Sequence, residues 1–96
     1  MSWQEYHTQS EQYASLAEEA NRAAEIERSR ELYWLAAEFD VRALEALDRS
    51  KMRTLGITIV SAVALWFKAG EFGTAEQLAY RWLATDLGSV LDLGIV

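Results

Sequence analysis

Proton transfer, nucleophilic attack and metal binding need reactive side chains with partners at fixed spacing, and this sequence supplies few. There is no cysteine, which excludes disulfides, thiolate metal sites and thiol nucleophiles. His7 is the only histidine. It lies in a polar N-terminal stretch and reads as a surface residue, without the partners of a metal site or a general base. Glu18 and Glu19, followed by Glu25, Glu27 and Glu31, are rich in carboxylates. Helical carboxylate metal sites, however, combine Glu with a Glu-x-x-His motif. That motif is absent, so these residues read as a solvated acidic face. The run Gly70-Glu71-Phe72-Gly73 lacks the Gly-Lys-Ser/Thr ending that grips phosphate and reads as a turn. Ser10, Ser15, Ser29, Ser50, Ser61 and Ser89 have no base signature beside them. Neither catalysis nor a metal or cofactor is expected.

What remains is the chemistry of contact. Four Trp, four Tyr and three Phe are many for 96 residues. Phe39, Trp66, Phe67 and Trp82 fall at positions expected to fill a core. Trp34 and Val41, seven apart, project away from the main apolar face of their segment, among Glu38, Glu45 and Asp48, and so mark a contact surface. Lys51 and Arg53 open the next helical segment, where the helix dipole disfavours cations. They call for Asp48, Glu45 or a partner to hold them. With Tyr80 these four residues form the expected partner-binding set.

The segments that carry these residues read as helices. Ser2 and Glu5 fit a capping box. From there Trp3, Tyr6, Ser10, Tyr13, Ala17, Ala20 and Ala24 recur at spacings of three and four, with Leu16 and Ala23 widening the stripe. A first helix over about 3–25 follows. No Gly or Pro closes it; the phase shifts around Ile26–Ser29, where Ser29 is the expected N-cap of a second helix, a continuous helix being the alternative. That second helix, about 29–49, turns Leu32, Leu35, Ala36, Phe39, Ala43, Ala46 and Leu47 inward. Ser50 is the expected cap of a third over 51–69. Its stretch from Thr54 to Phe67 has no charge and is apolar nearly all round, as expected of a central helix wrapped by its neighbours. Only Thr54, Thr58, Ser61 and Lys68 form a polar side to face water. Gly70 suits the left-handed position that ends a helix, and a fourth helix runs over about 72–86, with Ala75, Leu78, Ala79 and Trp82 inward. The apolar tail Val90, Leu91, Leu93, Ile95 and Val96 is expected to pack back or complete an interface.

The whole is expected to be a single all-α domain, residues 1–96, of four antiparallel helices. The absence of Pro and the abundance of Ala, Leu, Glu and Arg suit that class. A net charge of −6 at pH 7 argues against nucleic acid as a partner. The uncharged run is shorter than the roughly 18–20 residues of a membrane span, and the N-terminus has no signal-peptide pattern. No membrane partner and a cytoplasmic setting are expected.

The segment KAGEFGTAEQLAYRWLA resembles the second half of a tetratricopeptide repeat, through Gly70, Glu71, Phe72 and Ala75. The resemblance implies that Gly70 turns the chain, Phe72 plugs the hairpin end and Ala75 lets two helices close. It also implies that Ile59, Ala62, Val63 and Trp66 sit at packing positions. The upstream YWLAAEFDVRAL is a looser copy with Tyr33, Ala36 and Ala43; neither copy ends in proline. Residues 31–83 are also similar to a group of small, mostly uncharacterised bacterial helical proteins. They share a run carried here by Arg53, Thr54, Gly56, Ile57, Ser61, Ala62, Leu65, Lys68 and Ala69. These likenesses imply two stacked tetratricopeptide-like hairpins and no particular chemistry. Two hairpins make a short stack. The expected function is therefore a non-enzymatic adaptor that binds a protein or peptide and self-associates as a homodimer. The alternative is an acidic regulatory subunit that masks a basic surface of a nuclease or DNA-binding protein, since residues 1–50 hold eleven Asp/Glu against five Lys/Arg.

Overall fold

A computed structural model describes residues 1–82 and forms four helices among them: α1 (Trp3–Arg22), α2 (Ile26–Ala46), α3 (Met52–Lys68) and α4 (Phe72–Trp82). The fold is all-α, with no strand among the described residues. The expected continuation of α4 to about residue 86 and the apolar tail lie outside the described residues.

Local chemistry sets the ends of the helices. At the start of α1 the Glu5 N–H donates to Ser2 Oγ (3.3 Å) and the Ser2 N–H donates to Glu5 Oε1 (3.1 Å), completing the capping box. The α1–α2 joint is less obvious. Ala24 adopts φ 62°, the left-handed region that an alanine enters only with strain. The Glu25 N–H donates to Ala20 O (2.9 Å) and the Ala24 N–H to Asn21 O (3.0 Å), the two bonds of a Schellman motif. The α3–α4 joint repeats the motif with the residue best suited to it. Gly70 has φ 82°, Glu71 N–H donates to Trp66 O (2.9 Å) and Gly70 N–H to Phe67 O (3.0 Å). Ala24→Gly is therefore expected to raise stability by about 1 kcal/mol by relieving the left-handed alanine; urea denaturation measures it. No loss of α1–α2 packing accompanies the change, because Ala24 is exposed.

The α2–α3 joint is built differently. The Ser50 N–H donates to Asp48 Oδ1 (2.9 Å) and the Lys51 N–H to Asp48 O (3.0 Å). Ser50 is not the cap: α3 starts after Lys51 with no side-chain cap, because Asp48 has already turned the chain. Ser29 is not a cap either. It lies one turn inside α2, and its hydroxyl donates to Ala17 O (2.9 Å), closing the contact between helices.

The donated backbone bonds hold the Glu5 carboxyl below its ordinary value of 4.5 (chiefly the Ser2 N–H) and the Asp48 carboxyl below 3.8 (chiefly the Ser50 N–H). Lowered folded-state values mean that this stabilisation is present above the unfolded pKa and is lost as pH falls through the folded one. Both groups lie at one end of the molecule, where Ser2, Trp3, Asp48, Lys51 and Thr54 line a common recess. Acidification through the carboxylate range is expected to release the amide signals of Glu5 and Ser50 toward unfolded positions before that of Leu44 in the core, as followed by NMR.

The packing order differs from the expectation that α3 is the wrapped helix. Packing runs α1 on α2, α2 on α3 and α3 on α4. Helix α2 therefore lies between two long neighbours and buries residues on two sides: Leu32, Tyr33, Ala36, Ala37, Asp40, Ala43 and Leu44. Leu35 and Ala46, expected inward, are exposed, as is Leu16 on α1. The α1–α2 pair is antiparallel, with Ser10 Oγ donating to Ala36 O (2.7 Å) while Ser29 meets Ala17 further along. Backbones this close need small side chains, and Ala17, Ala20 and Ala36 are all buried there. On the other side, Ala75, Leu78 and Trp82 of α4 are buried as expected.

Candidate functional site

Helix α3 is apolar nearly all round, so packing decides which side stays open. Leu55, Ile59, Ala62, Leu65 and Trp66 are buried. Thr58, expected on the wet side, is buried too. Its Oγ accepts from Trp3 Nε1 (3.0 Å) and donates to Thr54 O (2.7 Å), so the polar stripe serves as a strap for α1. The side left open carries Arg53, Ile57, Val60, Ala64 and Phe67, all exposed. Their spacing of four, three, four and three is the seam of a packed helix pair. Ile57, Val60 and Phe67 remain 61%, 69% and 62% exposed, far beyond what isolated surface apolar residues require. Phe67, expected in the core, instead meets Phe72 in a T-shaped contact at 4.8 Å on the surface; Phe72 caps the hairpin end from outside. Beside this seam, Ile59, Val60, Val63, Ala64, Phe67, Lys68 and Ala79 line an almost wholly apolar groove of about 460 Å³ between α3 and α4.

Gly56 belongs to the same surface. A Cβ placed there meets nothing within 4 Å among the described residues, so no contact among them demands a glycine. Since glycine inside a helix is about 0.5–1 kcal/mol less favourable than alanine, Gly56→Ala is expected to raise stability by that amount in thermal or urea unfolding.

The five residues expected to bind a partner do not form one site. Trp34 is exposed yet not isolated: its ring meets Trp66 edge to face at 5.7 Å. Val41 is half-buried against the core and shares a small pocket with Trp66, Thr74, Gln77, Leu78 and Arg81. Trp34 therefore keeps an exposed face on α2, as expected, while Val41 turns inward toward α3 and α4. Lys51 lies in the recess beside Asp48 and Thr54, at the other end of α3 from Trp66. Arg53 stands exposed at the start of the open seam, and Tyr80 is exposed on α4. Only Arg53 of the five falls on the apolar face described above.

The lone histidine has partners that its sequence position hides. His7 stacks on Trp3 (centroids 4.9 Å, planes 12° apart). Its Nδ1 lies 3.0 Å from Asp40 Oδ1 and its Nε2 lies 2.8 Å from Glu11 Oε1. Carboxylates only accept, so a ring nitrogen serves either contact as an N–H donor. Asp40 is fully buried in the middle of α2, and its Oδ2 has no hydrogen-bond partner among the described residues. The cluster clamps α1 to α2. Among the described residues no group of three or more His, Cys, Asp or Glu is arranged to hold a metal ion.

No family model, no curated protein and no solved structure matches the chain. Among the described residues no helix is long and apolar enough to cross a membrane.

Proposed function

We propose that this protein is a non-enzymatic helical interaction module, acting in the cytoplasm, that docks a helix against the open side of α3. One observation carries the reading: a seam of Ile57, Val60, Ala64 and Phe67 left exposed at helix-packing spacing beside an apolar groove. A monomeric soluble domain seldom keeps such a face uncovered unless it binds something there. The groove offers shape and apolar area but almost no polar group with which to orient a reacting substrate, which favours a partner helix over a small molecule. Gly70 at the turn, Phe72 at the hairpin end and buried Ala75 support the tetratricopeptide-like reading of the α3–α4 hairpin. Such hairpins bury their faces against the next helix in the stack.

The test is an affinity capture with the wild-type chain and a Val60→Glu variant as baits, followed by mass spectrometry. Val60 is exposed, so the variant keeps its fold while placing a charge in the seam. Partners captured by the wild type and lost by the variant support the reading. Identical captured sets refute it.

A further inference from the structure

We infer that the recess where the end of α1, the start of α2 and the end of α3 meet binds the phosphate group of a small ligand. Asn21, Ile26, Ser29, Arg30, Tyr33 and Lys68 line it, around about 340 Å³, and none of the six is a carboxylate. That is unusual in a chain with fifteen Asp/Glu against nine Lys/Arg. Two cations meet there. A Cβ built on Gly70 would lie 3.8 Å from Arg30 Nε, so the Arg30 side chain lies against the turn that follows Lys68. Lys68 Nζ stands 5.6 Å from the centroid of the Tyr33 ring, which holds it at the recess. Neither cation has an ion-pair partner among the described residues. Like charges brought together repel unless an anion joins them.

Tyr33 separates this recess from an ordinary basic rim. The residue is only 8% exposed, and its hydroxyl forms no hydrogen bond among the described residues. A polar group in so buried a side chain ordinarily has a partner, and the recess is where one fits. Burial, and after it the Glu18 carboxylate, push the phenol above its ordinary value of 10.0, with Arg22 opposing. The hydroxyl therefore stays a donor at neutral pH. Helix α2 begins at Ile26 with no side-chain cap, so its free N–H groups add positive potential at the rim. Arg30 offers a planar fork, Lys68 a point charge, and Tyr33 and Asn21 neutral donors. A phosphate monoester carries a charge of about −1.5 to −2 at neutral pH and three acceptor oxygens. Two cations suit it better than they suit the single charge of a carboxylate.

A net charge of −6 opposes anion binding, so the expected Kd is weak, roughly 1 mM. The isotope-labelled full chain is titrated at about pH 7.5 and constant ionic strength with inorganic phosphate, glycerol phosphate and acetate, and its amide signals are followed by NMR. Saturable shifts are expected at Asn21, Arg30, Tyr33 and Lys68 and not at Glu5, near the other end of α1, with acetate binding more weakly. Tighter binding of glycerol phosphate than of inorganic phosphate identifies an ester as the source; equal binding identifies the free ion. Arg30→Gln is expected to weaken binding roughly tenfold and Tyr33→Phe roughly two- to tenfold, each with unchanged helical circular dichroism. The inference is overturned by no saturable shift up to roughly 20 mM phosphate, by acetate binding as tightly as phosphate, or by wild-type affinity in either variant. Val60→Glu, on the open side of α3, is expected to bind phosphate as the wild type does, so this inference and the docking reading fail separately.

Discussion

His7→Ala is expected to destabilise the domain by about 3 kcal/mol, although His7 looks like an ordinary surface residue in the sequence. The reason is Asp40. Its side chain is completely buried, and among the described residues Oδ1 has one partner, the His7 ring at 3.0 Å. Removing one member of a buried pair leaves the other charge without compensation, worth about 3–5 kcal/mol. The lower end applies because His7 is itself 26% exposed and some water reaches the vacated space. The loss spreads further: Trp3 stacks on His7 and donates to Thr58, so the strap from α1 to α3 loosens with it. Asp40→Asn removes the charge and is expected to be milder. In that background His7→Ala should cost less than about 1 kcal/mol, because no buried charge is then exposed to loss of its partner. Urea denaturation of the four proteins closes the cycle. A His7→Ala variant within about 0.5 kcal/mol of wild type, the usual scatter of surface substitutions, would show that Asp40 finds its compensation elsewhere.

These residues also mark where sequence reasoning reaches its limit. Signals confined to a few neighbouring positions are legible: the Ser2–Glu5 capping box, Gly70 closing α3 and the start of α4 at Phe72 all depend on chemistry within one turn. The end of α1 was not legible as a position, because Ala24 takes the conformation that glycine signals. The break therefore falls at residues 23–25, just before the phase shift rather than within it. The His7–Asp40 pair joins residues 33 positions apart, and nothing local to either points to the other. One hint was present: Asp40 stands on α2 among Tyr33, Ala37 and Leu44, a setting that a lone carboxylate occupies only with a partner. Val41 misled for a related reason. A single apolar stripe was assigned to α2, whereas a helix packed between two neighbours needs two, and Val41 packs on the second while Trp34 stays exposed.

The sharpest case is α3, where two substitutions two residues apart are expected to part company. Ala62→Asp should unfold the domain; Val60→Asp should leave it folded. Ala62 is fully buried and Val60 is 69% exposed, yet both lie in the same uncharged run, and hydrophobicity alone does not distinguish them. An amphipathic helix announces its buried side by the phase of its polar residues. Here Thr58 and Ser61 suggest a phase, but Thr58 is buried and bonded to Trp3 and Thr54, so the suggested phase is false. Small polar residues can satisfy themselves inside a helix pair in a way that Asp cannot. An unpaired carboxylate at position 62 carries a penalty of about 3–5 kcal/mol, against a total of roughly 5–14 kcal/mol for a domain of this size. The melting temperature should fall by at least roughly 15 °C, with loss of helical circular dichroism at 37 °C. Val60→Asp, measured at a concentration low enough to exclude self-association, should stay within about 0.5 kcal/mol of wild type. Equal stability of the two variants would mean that the open side of α3 has been assigned to the wrong face, and the docking surface would fall with it.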